Sequence, residues 1–436
     1  MNNTVEIISV GTELLLGDIV NTDAAYLARG LAELGIPCYY QSVVGDNPER
    51  LSGALALARS RSALIFLTGG LGPTTDDLTK ETAARTMGKT LVLHKESYDR
   101  LSELLSGRGI AVTENQKKQA MLPADAVVFR NDYGTAPGFA MTADDGCTMI
   151  LMPGPPREME PMFKEQVRPF LEKRSGMTIR SLNIGLFGIG EAAVGDALHE
   201  KMEHSENPTA APYCAEGEVR LRVTARGENA AVCDALLQKE AEEILKTPCK
   251  DGTHVLGDFV YGVGVSSMEE AAVRLLREKG LTVTFAESCT GGYLAKRITD
   301  IPGASEILKG SFVTYSEETK QAFVSVKKET LQTYSVYSEE TAREMAEGAK
   351  KAAGADIGIG ITGVAGPGSA VVSADGKELT FPAGTVFLAC AGKHGTVTKV
   401  LTLRPGSRNP TECREFVRRR ASSHALSMIL EAAKEE

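Results

Sequence analysis

The run Leu281-Thr282-Val283-Thr284-Phe285-Ala286-Glu287-Ser288-Cys289-Thr290-Gly291-Gly292 carries an apolar, β-branched segment into a serine and a glycine pair. Its first half has the composition of a buried strand. Tyr293-Leu294-Ala295-Lys296-Arg297-Ile298 follows and reads as a helix. Ser288 therefore stands where a strand turns into a helix, the place of an exposed nucleophile or a bound phosphate. Gly291 and Gly292 let a ligand come close to the backbone. The same turn also suits Ser288 or Thr290 as a plain helix N-cap, and these residues alone do not choose.

Outward from this turn, residues 265–436 alternate helix and strand. A helix is expected over 266–279 and a strand over 310–315. A helix over about 338–353, a strand over 356–361 and the turn Thr362-Gly363-Val364-Ala365-Gly366-Pro367-Gly368 come next. Strands over 384–390 and 396–403 precede a terminal helix that opens at Asn409-Pro410, a cap with proline at the first helical position.

If Ser288 attacks an amide, it needs a base and donors for the oxyanion. The six histidines are scattered along the chain, and no histidine-based triad is read. Lys320 can be the base if burial lowers its pKa. Tyr315 would relay a proton or orient the lysine. The Thr362-Gly363 turn would face Ser288 across the sheet with hydroxyl and backbone donors. Against this, most helix lysines are solvated, and Thr362 also fits as an ordinary turn residue.

Residues 1–172 also alternate strand and helix. Strands are expected over 5–10, 38–44, 63–67 and 148–152, and helices over 21–34, 48–59 and about 77–87. This order implies a mostly parallel sheet covered on both faces. Ligands of such sheets sit at the carboxyl ends of the strands. There fall Gly11-Thr12-Glu13, the loop Thr68-Gly69-Gly70-Leu71-Gly72-Pro73-Thr74 and Pro153-Gly154-Pro155-Pro156. Glycine-loop amides and a following helix suit phosphate oxygens. Asp76 and Asp77 would repel a bare phosphate, but make sense with a bridging divalent cation, helped by Glu13, Asp18 and Asp46 at nearby strand ends. A tight turn with Asp76 as N-cap fits the same residues.

Residues 173–258 read as a small α+β unit: a strand over 181–187, a helix over 191–202, an alternating strand over 219–224 and a helix over 230–245. It carries no motif with evident chemistry. Joints are expected near 174–178 and 250–264.

Composition narrows the classes. The 436 residues carry a net charge of −9. No basic stripe is interleaved with aromatics, so no direct nucleic-acid partner is expected. Arg418-Arg419-Arg420 reads as the solvated face of the terminal helix. The eight cysteines form no C-x-x-C pair, so neither a disulfide framework nor a zinc site is suggested. No signal peptide or membrane span is read, and a cytoplasmic location with free thiols is expected.

Specific motifs carry a resemblance. Gly11-Thr12-Glu13-Leu14-Leu15, Gly17-Asp18, Asn21-Thr22, Gly69 to Asp77, Gly134-Thr135-Ala136-Pro137-Gly138-Phe139 and Pro153 to Met159 resemble the N-terminal domain of the CinA (competence/damage-inducible) family, which is similar in fold to MoaB/Mog proteins. Ala286–Gly292, residues 310–315 with Lys320, Ser338-Glu339-Glu340-Thr341-Ala342, Ile361 to Pro367 and Gly406-Ser407-Arg408 resemble its C-terminal domain.

The resemblance implies an α/β protein in three parts. These are a doubly wound MoaB/Mog-like domain (1–172), a small α+β linker domain (173–258) and an α/β amidase domain (265–436). The last would be a Ser–Lys nicotinamide mononucleotide deamidase, with Ser288 as nucleophile, Lys320 as base, and Tyr315, Thr362 and Arg408 assisting. Glu287, Thr290, Gly291, Gly292 and Gly363 would bind its substrate. The first would hydrolyse ADP-ribose with a divalent metal, Mg2+ or Co2+, and K+ as a further candidate. Gly11, Thr12, Asn21, Thr68, Gly69, Gly70, Gly72, Pro73, Thr74, Pro153 and Gly154 would hold the nucleotide, and Glu13, Asp46, Asp76 and Asp77 the metal. A homodimer is implied. The alternatives are a deamidase with a nucleotide-sensing N-terminal module, a non-enzymatic competence or DNA-damage partner, and a pterin-handling enzyme by analogy of fold.

Two departures from the C-terminal pattern stand out: Ser407 where Gly-Asp-Arg is usual, and a longer segment over 369–380. In the N-terminal domain, Asp23 replaces the more frequent Asn.

Overall fold

In the first domain, six strands form one sheet in the order Cys38–Val44, Val5–Val10, Leu64–Thr68, Thr148–Met152, Gly138–Thr142, Val127–Phe129. The first four are joined in parallel and the last two antiparallel. The structure is a computed structural model, and it describes residues 4–107, 109–175, 178–215, 217–406 and 408–435. Met1 to Asn3, residues 176–177 of the first expected joint, and Ser407 of the Gly406-Ser407-Arg408 turn lie outside the described residues.

Val5–Val10 is buried at every position because both sheet faces are covered. Its alternate side chains enter different cores. Ile8 and Val10 pack with Leu51, Leu55, Ala83 and Met87, whereas Val5 and Ile7 pack with Leu27, Leu31, Met162 and Phe163. That period of two is the pleat of a strand between two helical layers, as a doubly wound domain requires.

The helix expected from about 77 begins later, at Thr79, with Leu78 as an N-cap that makes no side-chain cap bond. Asp77 instead closes the preceding loop. Its Oδ2 accepts from the Thr74 amide at 2.9 Å and from Thr74 Oγ1 at 2.5 Å.

The middle segment is α+β. Its sheet runs Thr209–Ala215, Glu218–Gly227, Thr178–Phe187, Val260–Val263, with helices Glu191–His204 and Ala230–Leu245. Val219, Leu221, Val223 and Ala225 alternate into the core, as their pattern predicts. Thr209–Ala215 and Val260–Val263 are strands the sequence reading left out.

The last domain orders its strands Leu308–Val313, Val283–Glu287, Ile357–Gly363, Thr385–Gly392, Gly395–Thr402. The first three are joined in parallel and the last two antiparallel. One face buries Val283, Phe285, Ile357, Ile359 and Ile361 under the Met268–Lys279 and Pro410–Glu435 helices. The other meets the Glu339–Ala353 helix very closely. A Cβ on Gly358 or Gly360 would run into the carbonyl oxygens of Ala346 or Ala342, so only glycine permits this layer spacing. Thr362 and Gly363, expected in a turn, complete the strand. The long segment after Gly368 forms a hairpin, Ala370–Ala374 with Lys377–Phe381.

Contacts divide the chain into two units, Met1–Ser181 with Thr224–Leu237, and Leu182–Val223 with Gln238–Glu436. No helix among the described residues is long and apolar enough to cross a membrane.

Candidate active site

The Ser288 turn is pinned by its backbone. The Ser288 amide donates to the Ile361 carbonyl at 2.9 Å, and the Gly291 amide donates to the Ser288 carbonyl at 3.1 Å. The helix begins only at Tyr293, with Gly292 at φ +87° as N-cap and no side-chain cap bond. Glu287 takes over that duty. Its carboxylate accepts from the amides of Leu294 (3.0 Å) and Ala295 (2.9 Å) and from Ser311 Oγ (3.3 Å). The positive end of the helix suits the buried charge. Glu287 is therefore no substrate ligand in this structure, and Ser288 Oγ is free of capping.

Lys320 lies in the Glu317–Val324 helix, which Ser316 caps. Its side chain is 1% exposed, not solvated. Nζ stands 3.0 Å from Ser288 Oγ and donates to the Thr314 carbonyl at 2.8 Å. Burial pushes Lys320 down to about 8, opposed by the carboxylate of Glu317. Burial pushes the Cys289 thiol up to about 12, so near neutrality that residue carries no charge and is a poor nucleophile. A neutral Lys320 with one N–H on Thr314 keeps its lone pair for the serine proton.

Ser288 and Lys320 open onto a cavity of about 380 Å³, lined also by Tyr315, Tyr337, Gly363, residues 364–370 and Arg414. No histidine is among the described residues that line it. Arg414 Nη1 donates to the Gly366 carbonyl at 2.7 Å and Nη2 to Tyr315 Oη at 3.3 Å. Tyr315 is 62% exposed and makes no bond to Lys320 here, so the Thr314 carbonyl orients the lysine.

The other expected residues stand back from this lining. Buried Thr362 donates to the Val336 carbonyl at 2.7 Å and so braces the cavity wall. Thr290, Gly291 and Gly292 are not among the described lining residues, and Arg418 Nε donates to the Thr290 carbonyl at 2.9 Å. Arg418 is thus engaged rather than solvated. Arg408 bonds the Pro405 carbonyl and stacks on Phe416 at 4.2 Å. Arg414 was missed because one arginine among several on a terminal helix has no local signal; only the packing of that helix turns it inward.

A second cavity, of about 570 Å³, opens at the strand ends of the first domain. It gathers Gly11, Glu13, Asn21, Asp46, Thr68, Gly69, Gly70, Gly72, Pro73, Asp76, Asp77, Pro153 and Gly154. Thr12 and Thr74 stand behind the lining. Thr12 donates its amide (2.9 Å) and hydroxyl (2.8 Å) to Asp46, as Thr74 does to Asp77. Among the described residues, no three His, Cys, Asp or Glu side chains are grouped to hold a metal ion. The expected Glu13, Asp46, Asp76 and Asp77 all line this one cavity, and Asp46 and Asp77 each accept from a threonine through one oxygen.

Comparisons with known proteins follow these divisions. Residues 6–173 match a probable molybdopterin binding domain, 181–262 the damage-inducible protein CinA KH domain, and 265–433 the CinA C-terminal domain. A CinA-like protein of Kosmotoga olearia is 45% identical over 427 residues, covering 98% of each chain. A putative competence-damage inducible protein of Clostridium acetobutylicum is 44% identical over 404 residues, covering 93% of this chain and 94% of that protein. A crystal structure of the protein CinA from Thermoplasma acidophilum is 33% identical, covering 38% of this chain and 97% of its own, with a TM-score of 0.36. With a MoaB/Mog-like domain, a KH-like domain and a CinA C-terminal domain in one chain, this protein belongs to the CinA family.

Proposed function

We propose that the C-terminal domain is a serine amidase that converts nicotinamide mononucleotide and water to nicotinate mononucleotide and ammonia. The observation that carries this reading is the desolvated Lys320 amine 3.0 Å from Ser288 Oγ. Neutral Lys320 takes the serine proton as Oγ bonds to the amide carbon. The resulting ammonium returns that proton to the leaving nitrogen, and ammonia departs. Water then attacks the acyl-serine with Lys320 accepting its proton, the acyl–Oγ bond breaks, Lys320 returns that proton to Ser288 Oγ, and the carboxylic acid leaves. Arg414 and Lys320 are the cations among the described lining residues, against Glu317 as the carboxylate. That balance suits a phosphate-bearing substrate, with Arg414 as its grip. Ser288→Ala assayed for ammonia release from nicotinamide mononucleotide tests the assignment; retained turnover would remove it.

The N-terminal cavity is read as a site for a nucleoside diphosphate such as ADP-ribose, supported by the glycine loop at the strand ends. Metal-dependent hydrolysis there would draw on Glu13, Asp46, Asp76 and Asp77 of the same lining; nucleotide sensing alone would need only the glycine loop. The chain is further read as a cytoplasmic homodimer, and a monomeric mass by light scattering at micromolar concentration would remove the dimer.

A further inference from the structure

Asp23 lies in the first turn of the Thr22–Glu33 helix and lines the N-terminal cavity. It is 8% exposed, and its Oδ1 is sealed from solvent without a hydrogen-bond partner. The neighbouring Asn21 is fully engaged: its Oδ1 accepts from the Ala24 amide at 3.1 Å, and its Nδ2 donates to Ser9 Oγ at 3.0 Å. Asp23 is thus the side chain of this helix start whose carboxyl is left unpaired beside the cavity.

Its protonation follows from its surroundings. The helix N-terminus favours a carboxylate by about 0.3–1 kcal/mol. Burial and the negative Glu160 oppose that and win, pushing Asp23 up to about 7. The titratable groups around it do not reverse this. Tyr26 on its own helix donates to the Glu160 carbonyl. From other elements the cavity receives Glu13, Asp46, Asp76, Asp77 and Glu158, and no lysine, arginine or histidine is among the described residues lining it. A buried carboxyl oxygen without a partner is costly, and a neutral carboxyl has an O–H to give. The adjacent glycine-loop and helix-start amides favour an anionic partner for that O–H.

We propose that Asp23 is the group by which this cavity reads its ligand: as a neutral acid it donates a hydrogen bond to a phosphate oxygen of a nucleoside diphosphate, so binding takes up a proton when the free site is ionised. The inference rests on the nucleotide reading of this cavity. Below about pH 7 the proton is already present and affinity is flat. Above it each bound ligand must recover one proton, so affinity falls toward tenfold per pH unit.

Calorimetric titration of the full chain with ADP-ribose between pH 6 and 8.5, in buffers of different ionisation enthalpy, tests this. Wild type should lose affinity at least fivefold between pH 7 and 8.5, with close to one proton taken up per ligand at the upper end. Asp23→Asn keeps a donor but cannot ionise, and should bind with nearly the low-pH affinity throughout. Glu160→Gln removes one cause of the raised Asp23 value and should move the fall to lower pH, which a merely structural role would not do. A flat wild-type profile, an unchanged slope in Asp23→Asn, or an unmoved fall in Glu160→Gln overturns the proposal alone. Absence of binding by ADP-ribose and ADP at pH 6 overturns the nucleotide reading itself, and this proposal with it.

Discussion

The two cavities stand at equivalent places, the carboxyl ends of parallel strands in covered sheets, yet they use buried charge in opposite ways. In the C-terminal cavity a buried amine faces a hydroxyl at 3.0 Å and is held by a backbone carbonyl. In the N-terminal cavity the carboxylates Asp46 and Asp77 are turned onto threonines, and Asp23 is buried without a partner for Oδ1. The first arrangement prepares a proton transfer before any ligand arrives. The second prepares a cradle whose polar groups await a ligand. Position in the fold thus tells where a ligand goes, and the pairing of buried titratable groups tells what is done to it.

The strongest way to break this contrast is to remove the pair. Ser288→Ala and Lys320→Ala should each lower kcat for deamidation by about 10³–10⁴-fold, and the double variant should be little worse, because the residues act as one unit. Cys289→Ser should keep most activity. Deamidation lost in Cys289→Ser and kept in Ser288→Ala would reassign the nucleophile to the thiol.

The next effect is on pH. Only neutral Lys320 accepts the serine proton, and its value is pushed down to about 8. Below that value kcat/KM should rise toward tenfold per pH unit, and it should level off above it, giving about a hundredfold gain from pH 6 to a plateau near pH 9. A profile flat from pH 6 to 9 would show that no lysine base is titrating.

The same shift acts on stability. Folded Lys320 loses its proton near 8, whereas an unfolded lysine holds it to its ordinary value of 10.5. Between these values the unfolded state binds more protons, so folding becomes more favourable as pH rises through the window. Relative to Lys320→Met, wild type should gain about 3 kcal/mol from pH 7.5 to 10.5, as an upper figure for a shift of this size. Urea unfolding of both proteins at three pH values checks it; parallel curves would mean that Lys320 is hydrated in solution.

How much of this was legible depends on whether the signal is local. The Ser288 turn was, because a β-branched run, a serine and two glycines announce it within twelve residues. The layers of both sheets were too, since strands buried on both faces are continuous apolar runs. The burial of Lys320 was not, because its helix is short and polar at its start and the desolvation comes from tertiary packing. The hydrogen-bond partners of the acidic set were hidden for a related reason. Acid residues near strand ends are visible in sequence, but Thr12 and Thr74 engage two of them through hydrogen bonds that only the folded loops create.

The smallest expected effect sharpens which arginine belongs to the C-terminal cavity. Arg414 lines it, with its guanidinium split between the Gly366 carbonyl and Tyr315 Oη. Neither bond is to a carboxylate, so its charge is available to a phosphate. Arg408 instead stacks on Phe416 and bonds Pro405. Arg414→Ala should therefore raise KM for nicotinamide mononucleotide about tenfold, of the order of one lost charge-assisted hydrogen bond at about 1.5–3 kcal/mol, with kcat changed less. Arg414→Lys should recover only part, because an ammonium cannot hold the Gly366 carbonyl and a phosphate with one planar fork. Arg408→Ala should stay within about twofold, since exposed contacts of this kind contribute little. Steady-state kinetics of the three variants decide it. A large KM effect in Arg408→Ala with none in Arg414→Ala would mean that Arg408 carries the phosphate grip instead.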